Sequence, residues 1–227
     1  MSDTAPVSRA KANYRLYLVT SGHDQHTVDV AAQVAAAGAG VVQVRAKDIT
    51  TRELLALTKD VLAAVREANP ATAVVVDDRA DVALAAGADG VHLGQDDLPP
   101  SVARQMLGPD AIIGLTTGTL ELVQQAQAFH TDNPGVLDYI GAGPFRPTPT
   151  KDSGRQPLWV DGYPPLVAAT SLPIVAIGDV TVEDVADLSA TGIAGVAMVR
   201  CLMNADDPHT EASRALALWR GRAYRDY

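Results

Sequence analysis

Several groups of residues in this chain are of the types that handle anions and hard metal ions. The segment from Gly141 to Lys151, GAGPFRPTPTK, follows an apolar run containing Leu137, Tyr139 and Ile140. Gly141 and Gly143 leave room for backbone to approach a ligand, and Pro144, Pro147 and Pro149 stiffen the turn. Thr148, Thr150 and Lys151 add two hydroxyls and an ammonium, which together make an anion grip. Taken alone, the segment also reads as an ordinary proline-stiffened loop. Gln43, Arg45 and Lys47 alternate, so on a strand they share one side. Facing inward they would bring an amide and two cations to one place; facing outward they would be solvated charges. Asp77-Asp78 and Asp96-Asp97 end two further apolar runs. Grouped carboxylates near cations and hydroxyls suit Mg²⁺, a hard ion that takes oxygen ligands and bridges carboxylates to phosphates. The alternative is that Asp78 and Asp97 cap helices.

The remaining polar candidates stand at the ends of apolar runs. Thr116 and Thr117 offer hydroxyls to a phosphate or to a helix start. Gly178-Asp179 and Val199-Arg200 end the last two runs, where backbone N–H groups and a helix start can hold phosphate. Asp179 is an unfavourable neighbour for an anion and Arg200 a favourable one, so the two are expected to pair and leave the Gly178 and Val199 backbone to the ligand. His92 lies within an apolar run and reads as a satisfied core residue ahead of a catalytic one. His23, His26, His130 and His209 have no ligand-like spacing.

These residues need a scaffold that gathers strand ends. Short apolar, β-branched runs recur at Leu16–Val19, Val41–Arg45, Ala73–Val76, Gly90–Leu93, Ala111–Leu115, Leu137–Ile140, Ile174–Ile177 and Gly195–Val199. Helical patterns separate them near 27–37, 51–68, 79–86, 100–107, 119–130, 161–170, 181–190 and 210–220. Thr27, Thr50 and Thr181 are expected caps, and Ala-Gly pairs at 37 and 86 with Thr191-Gly192 are expected stops. Buried strands joined by helices require right-handed crossovers and a parallel sheet. Eight such units predict an α/β chain folded as a single (β/α)8 barrel, whose active sites lie at the C-terminal strand ends. An open doubly wound sheet is the alternative, but the first strand lacks a GxGxxG turn. Residues 1–12 are expected to form a tail and 13–227 the barrel.

Composition narrows the function. Among 227 residues 47% are apolar, and the formal charge is −9. The acidic balance argues against nucleic acid or an anionic membrane as partner, so any phosphate must be held locally. The single cysteine, Cys201, excludes an intrachain disulfide and suits a reducing cytoplasm. Neither a membrane span nor a secretory leader is indicated. The sequence leaves a homo-oligomer open.

Taken in order, QVRAKD, DDRAD, DGVHLGQDDLP, GAGPFRPTPTK, AIGD and GVAMVR resemble the motifs of the thiamine phosphate synthase family, over about residues 14 to 205. HLGQDDLP and GPxxPTPTK are the most specific parts. The resemblance implies a (β/α)8 barrel that uses Mg²⁺. Such a barrel joins 4-amino-5-hydroxymethyl-2-methylpyrimidine diphosphate to 4-methyl-5-hydroxyethylthiazole phosphate, giving thiamine phosphate and pyrophosphate. By position it makes Gln43, Arg45 and Lys47 pyrimidine diphosphate contacts and Asp78 and Asp97 the Mg²⁺ ligands. Thr116 falls where the family usually has a serine near the diphosphate, and Lys151 at its diphosphate-binding lysine. Thr148 and Thr150 would face the thiazole phosphate, with backbone at Gly178, Val199 and Arg200. The implied chemistry is dissociative, with Arg45, Lys47 and Lys151 stabilising the departing diphosphate. Three positions depart from the family pattern: Asp77 stands in place of an asparagine that contacts the pyrimidine, Ala46 in place of glutamate, and Asp179 in place of glycine. They motivate a second reading, a non-catalytic or tautomerase-like barrel that binds a thiamine precursor. The tautomerase branch is disfavoured because it uses a histidine where this chain has Thr116-Thr117-Gly118. A Schiff-base aldolase using Lys47 or Lys151 is a third reading, against which the acidic rim argues.

Overall fold

Eight parallel strands close into a barrel in sequence order in the computed structural model, which describes residues 12–147 and 154–219. They are β1 Leu16–Val19, β2 Val41–Val44, β3 Ala73–Asp77, β4 Gly90–Leu93, β5 Ile112–Thr117, β6 Tyr139–Ala142, β7 Ile174–Ala176 and β8 Gly195–Met198. Ring closure is made by β1 against β8, with Tyr17 opposite Ala197. The helices are α1 Gln25–Ala36, α2 Thr51–Ala68, α3 Ala80–Ala86, α4 Pro100–Leu107, α5 Leu120–Asp132, α6 Tyr163–Ala168, α7 Val185–Ser189, α8 Arg200–Met203 and α9 Pro208–Leu218. The expected (β/α)8 fold is therefore present, and the strand bounds shift by at most two residues.

Local chemistry explains most element ends. Thr50 and Glu53 form a reciprocal capping box at the start of α2. Helix α2 then buries Leu54, Leu57, Thr58, Val61, Leu62 and Val65, a stripe with the helical period. Thr181 pairs with Asp184 in the same way. Thr27 does not cap α1: the Asp24 side chain does, accepting from the Thr27 backbone N–H, while the Thr27 hydroxyl turns inward to Ser21 O and Asp24. Gly87 ends α3 in the left-handed conformation, φ 72°. Two expected helices start as tight 3₁₀ turns, Val160–Gly162 and Val182–Asp184. A short helix the sequence pattern did not suggest, α8, begins at Arg200 directly after β8.

Strand parity divides the core in two. One face of the strands packs on the helices in the large outer cluster, which includes Leu18, Val42, Val74, Val91, Ile113 and Ile140. The other face fills the barrel with Tyr17, Val19, Val41, Val75, Ile112, Tyr139, Val175 and Ala197. Ala12, expected at the end of the tail, is buried with Tyr14 at this floor. The inner layer fits two tyrosines because strand positions beside them are glycine: a Cβ at Gly114 would overlap the Tyr139 ring.

Candidate active site

Above this floor the barrel opens into a cavity of about 320 Å³. The inward parity of β2 carries Gln43, and continues past the strand to Arg45 and Lys47, so all three line it. Thr20 clamps this exit, its hydroxyl accepting from the Arg45 N–H at 2.9 Å and donating to the Arg45 carbonyl at 3.3 Å. Asp77, at the end of β3, lies 3.2 Å from Arg45 Nε and 3.7 Å from Lys47 Nζ. Asp78 follows with φ 62°, a left-handed conformation that turns its carboxylate to Lys47 Nζ at 2.9 Å. The Asp78 hydrogen bond raises the Lys47 ammonium above its ordinary range.

Asp78 and Asp97 meet across β3 and β4, close enough for each carboxyl to bear on the other's proton affinity. Burial works to raise both groups. At Asp78 the hydrogen bonds to Lys47 and Asp97 outweigh it and hold the carboxyl low. At Asp97 burial and the neighbouring carboxylate prevail over the Gly94 N–H, which donates at 2.6 Å, and the group is raised. The two carboxyls therefore differ in proton affinity, Asp97 holding a proton more firmly than Asp78. Two ionised carboxylates suit a hard cation, and Mg²⁺ is commonly held by one or two carboxylates with substrate phosphates completing its shell. Among the described residues no group of three or more His, Cys, Asp or Glu side chains is placed to hold a metal ion. Asp96, exposed, and Asp97 both stay outside the cavity lining, and Asp97 lines the adjoining pocket with Gly94 and Gln95.

The far arc of the mouth comes from β7 and β8. Gly178 has φ 109°, and a Cβ there would lie 2.6 Å from Pro144 Cα, so glycine is needed where the β6 and β7 exits touch. The expected pairing of Asp179 and Arg200 is present, with Arg200 Nη2 2.5 Å from Asp179 Oδ1. Asp179 does not cap α7; Asp184 and Thr181 serve that helix start. Arg200 stands as the first residue of α8 rather than as a strand end, and Gly178, Val199 and Arg200 line one wall of the cavity.

Thr148, Thr150 and Lys151 lie outside the described residues. Of the polar stretch around them, Arg155 is held: its Nη1 donates to the Thr117 carbonyl at 2.7 Å, which places a guanidinium on the cavity wall. Leu158 and Trp159 donate backbone N–H groups to Pro144 and Phe145 at 2.9 Å each.

Three cavity residues carried no sequence signal strong enough to single them out. Tyr17 and Tyr139 look like ordinary strand aromatics, and only inward parity hinted at the barrel interior. Arg155 lies in a loop without periodicity. His92 is satisfied, as expected, but by cavity residues: Nδ1 is 2.9 Å from the Tyr139 hydroxyl and Nε2 2.9 Å from Thr116 Oγ1.

The arrangement gathers cations, a carboxylate pair and two glycine-lined backbone turns around a cavity of small-molecule size, which suits polyanionic ligands. A family model described as thiamine monophosphate synthase matches residues 16–202. The thiamine-phosphate synthase of Corynebacterium jeikeium is 59% identical over 212 residues, covering 92% of this chain and 95% of that protein. That of Corynebacterium efficiens is 54% identical, covering 92% and 96%. Among solved structures, a thiamine phosphate pyrophosphorylase from Pyrococcus furiosus superposes with TM-score 0.77 at 30% identity, covering 92% of this chain and 96% of that one.

Proposed function

The chain belongs to the thiamine monophosphate synthase family, an enzyme of the transferase class, and we propose that it joins the pyrimidine diphosphate to the thiazole phosphate with release of pyrophosphate. The observation that carries this reading is the juxtaposition of Arg45, Lys47 and Asp78 on one arc of the mouth, with Asp97 beside Asp78 in the adjoining pocket, and Gly178 and Arg200 on the other arc. Two anionic substrates then have separate cationic or backbone-lined walls and share one cavity. Lys151, Thr148 and Thr150 are assigned to the same two anions by resemblance alone.

In this reading the methylene carbon–oxygen bond of the pyrimidine breaks, the electron pair stays on the departing diphosphate, and the thiazole nitrogen bonds to the carbon. Arg45 and Lys47 stabilise the charge that grows on the leaving group, an interaction stronger in the transition state than before it. Asp78 and Asp97 would hold Mg²⁺, which when bound supplies further charge neutralisation to the diphosphate. The closed barrel excludes water from the reacting carbon on its floor side, where Tyr17 and Tyr139 are buried. Gln43 and Asp77 flank the site reserved for the pyrimidine ring. A cytoplasmic enzyme with two small-molecule substrates fits this reading. Among the described residues no helix is long and apolar enough to cross a membrane.

The carboxylates that motivate a non-catalytic barrel are both neutralised by cations: Asp77 by Arg45 and Lys47, and Asp179 by Arg200. That pairing removes the electrostatic reason to prefer the non-catalytic reading. The test is incubation with both precursors and Mg²⁺ while thiamine phosphate and pyrophosphate are measured together. Stoichiometric appearance of both is expected; binding of either precursor without turnover would overturn the synthase reading.

A further inference from the structure

Two buried phenols on the floor of the cavity serve in that reaction only to wall off water. Tyr17 and Tyr139 are 2% and 0% exposed, and their hydroxyls lie 2.7 Å apart. Gln43 Nε2 donates to the Tyr17 hydroxyl at 2.9 Å. On the other side, the Tyr139 hydroxyl is 2.9 Å from His92 Nδ1, and His92 Nε2 is 2.9 Å from Thr116 Oγ1. The five side chains come from β2, β1, β6, β4 and β5, so the chain of contacts crosses the barrel floor and ends at the cavity wall.

Proton counting allows this chain one continuous direction. A phenol or threonine hydroxyl carries one hydrogen, and a neutral imidazole carries one on either nitrogen. With Gln43 donating to Tyr17 and the Tyr17 hydrogen passed to the Tyr139 oxygen, the Tyr139 hydrogen goes to a bare His92 Nδ1. Nε2 of the neutral ring then gives its hydrogen to Thr116 Oγ1, which turns the Thr116 hydrogen toward the cavity. Burial raises both phenols far above their ordinary range, so each keeps its hydrogen. Glycine at 141 leaves the ring its place, since a Cβ there would lie 3.2 Å from His92 Cε1.

We propose that the chain takes this direction, with Tyr17, Tyr139 and His92 as positioning residues that hold the Thr116 hydroxyl as a hydrogen-bond donor to an anion in the cavity. The identity of that anion, the departing diphosphate, rests on the synthase reading; the direction of the chain does not. No proton is transferred: the leaving oxygen keeps the electron pair of the broken carbon–oxygen bond, and Thr116 donates a hydrogen bond to it. Preset donors of this kind need no reorganisation at the moment of reaction.

The test has two arms. In full-length protein labelled with ¹⁵N-histidine, two-bond ¹H–¹⁵N correlation should show His92 with Nε2 protonated and Nδ1 bare, its signals assigned by their loss in His92→Gln. The opposite tautomer, or a doubly protonated ring, overturns the proposal even if no turnover is seen. In the kinetic arm, Tyr139→Phe and Tyr17→Phe remove one hydroxyl each from otherwise isosteric rings. Each should mix the His92 tautomers and lower kcat about tenfold with KM changed less than about twofold. Tyr139→Phe combined with Thr116→Ala should be no slower than Thr116→Ala alone. Additive losses, or an unchanged kcat and tautomer in folded Tyr139→Phe, would overturn it. Absence of turnover in the wild type with the expected tautomer would sink the synthase reading alone.

Discussion

Asp77→Asn should tighten the binding of magnesium pyrophosphate. Asparagine is isosteric, so the substitution removes a charge and little else. Asp77 lies 3.2 Å from Arg45 Nε and 3.7 Å from Lys47 Nζ. A phosphate oxygen within hydrogen-bond reach of the same two cations stands on the order of 5 to 6 Å from the carboxylate, where two unit charges repel by about 0.7 to 3 kcal/mol for dielectric constants of 80 to 20. Lys47 is half exposed and Arg45 partly so, so the screened end of that range applies, about 1 kcal/mol or roughly fivefold in affinity. Losing the two partly exposed ion pairs costs the fold about 1 kcal/mol or less. Isothermal titration of both proteins with pyrophosphate at fixed Mg²⁺ reads the effect directly, and the gain should shrink as salt is raised. Equal or weaker binding by Asp77→Asn at low salt would refute the argument, because it would mean that Asp77 organises the cations more than it repels the ligand.

Other outcomes follow from the same geometry. Asp78→Asn and Asp97→Asn should each lower Mg²⁺-dependent turnover by about two orders of magnitude with little change in melting temperature, measured by metal-titrated kinetics and thermal unfolding; full activity without metal would refute the assignment. Because burial and the neighbouring Asp78 raise the Asp97 carboxyl, and a carboxyl must be ionised to hold a cation, proton and Mg²⁺ compete there. Mg²⁺ affinity should therefore fall toward acid pH and rise as pH passes the raised Asp97 value, with proton release visible as buffer-dependent heat in calorimetry. Arg200→Ala should weaken thiazole phosphate binding more than Arg200→Ala combined with Asp179→Gly, since the single change leaves an unpaired carboxylate facing the ligand; a binding cycle with additive effects would show the two uncoupled.

The scaffold is legible along the chain because its signals are local. Apolar β-branched runs, capping boxes such as Thr50 with Glu53, and stops such as Gly87 act over four or five residues, so their physics is contained in the order of residues. The parity of Gln43, Arg45 and Lys47 is equally local, and once a closed parallel barrel is inferred it places all three in the cavity. The family motifs carry the anion-handling residues by the same route, although Thr148, Thr150 and Lys151 lie outside the described residues.

What the sequence determined by itself, then, is the barrel, the end of it that does chemistry and the residue types gathered there. Tertiary structure alone decided the pairings, since these depend on registers and backbone turns between residues far apart in the chain. Lys47 meets Asp78 because Asp78 adopts φ 62° at the β3 exit, and Asp179 meets Arg200 because β7 and β8 end side by side. Which member of the Asp78/Asp97 pair holds a proton more firmly is set by unequal surroundings, a lysine on one side and a backbone N–H with burial on the other. Tyr17, Tyr139 and His92 are separately unremarkable in strands β1, β6 and β4, and they become a connected polar floor only when the barrel closes around glycine positions that leave space for their rings.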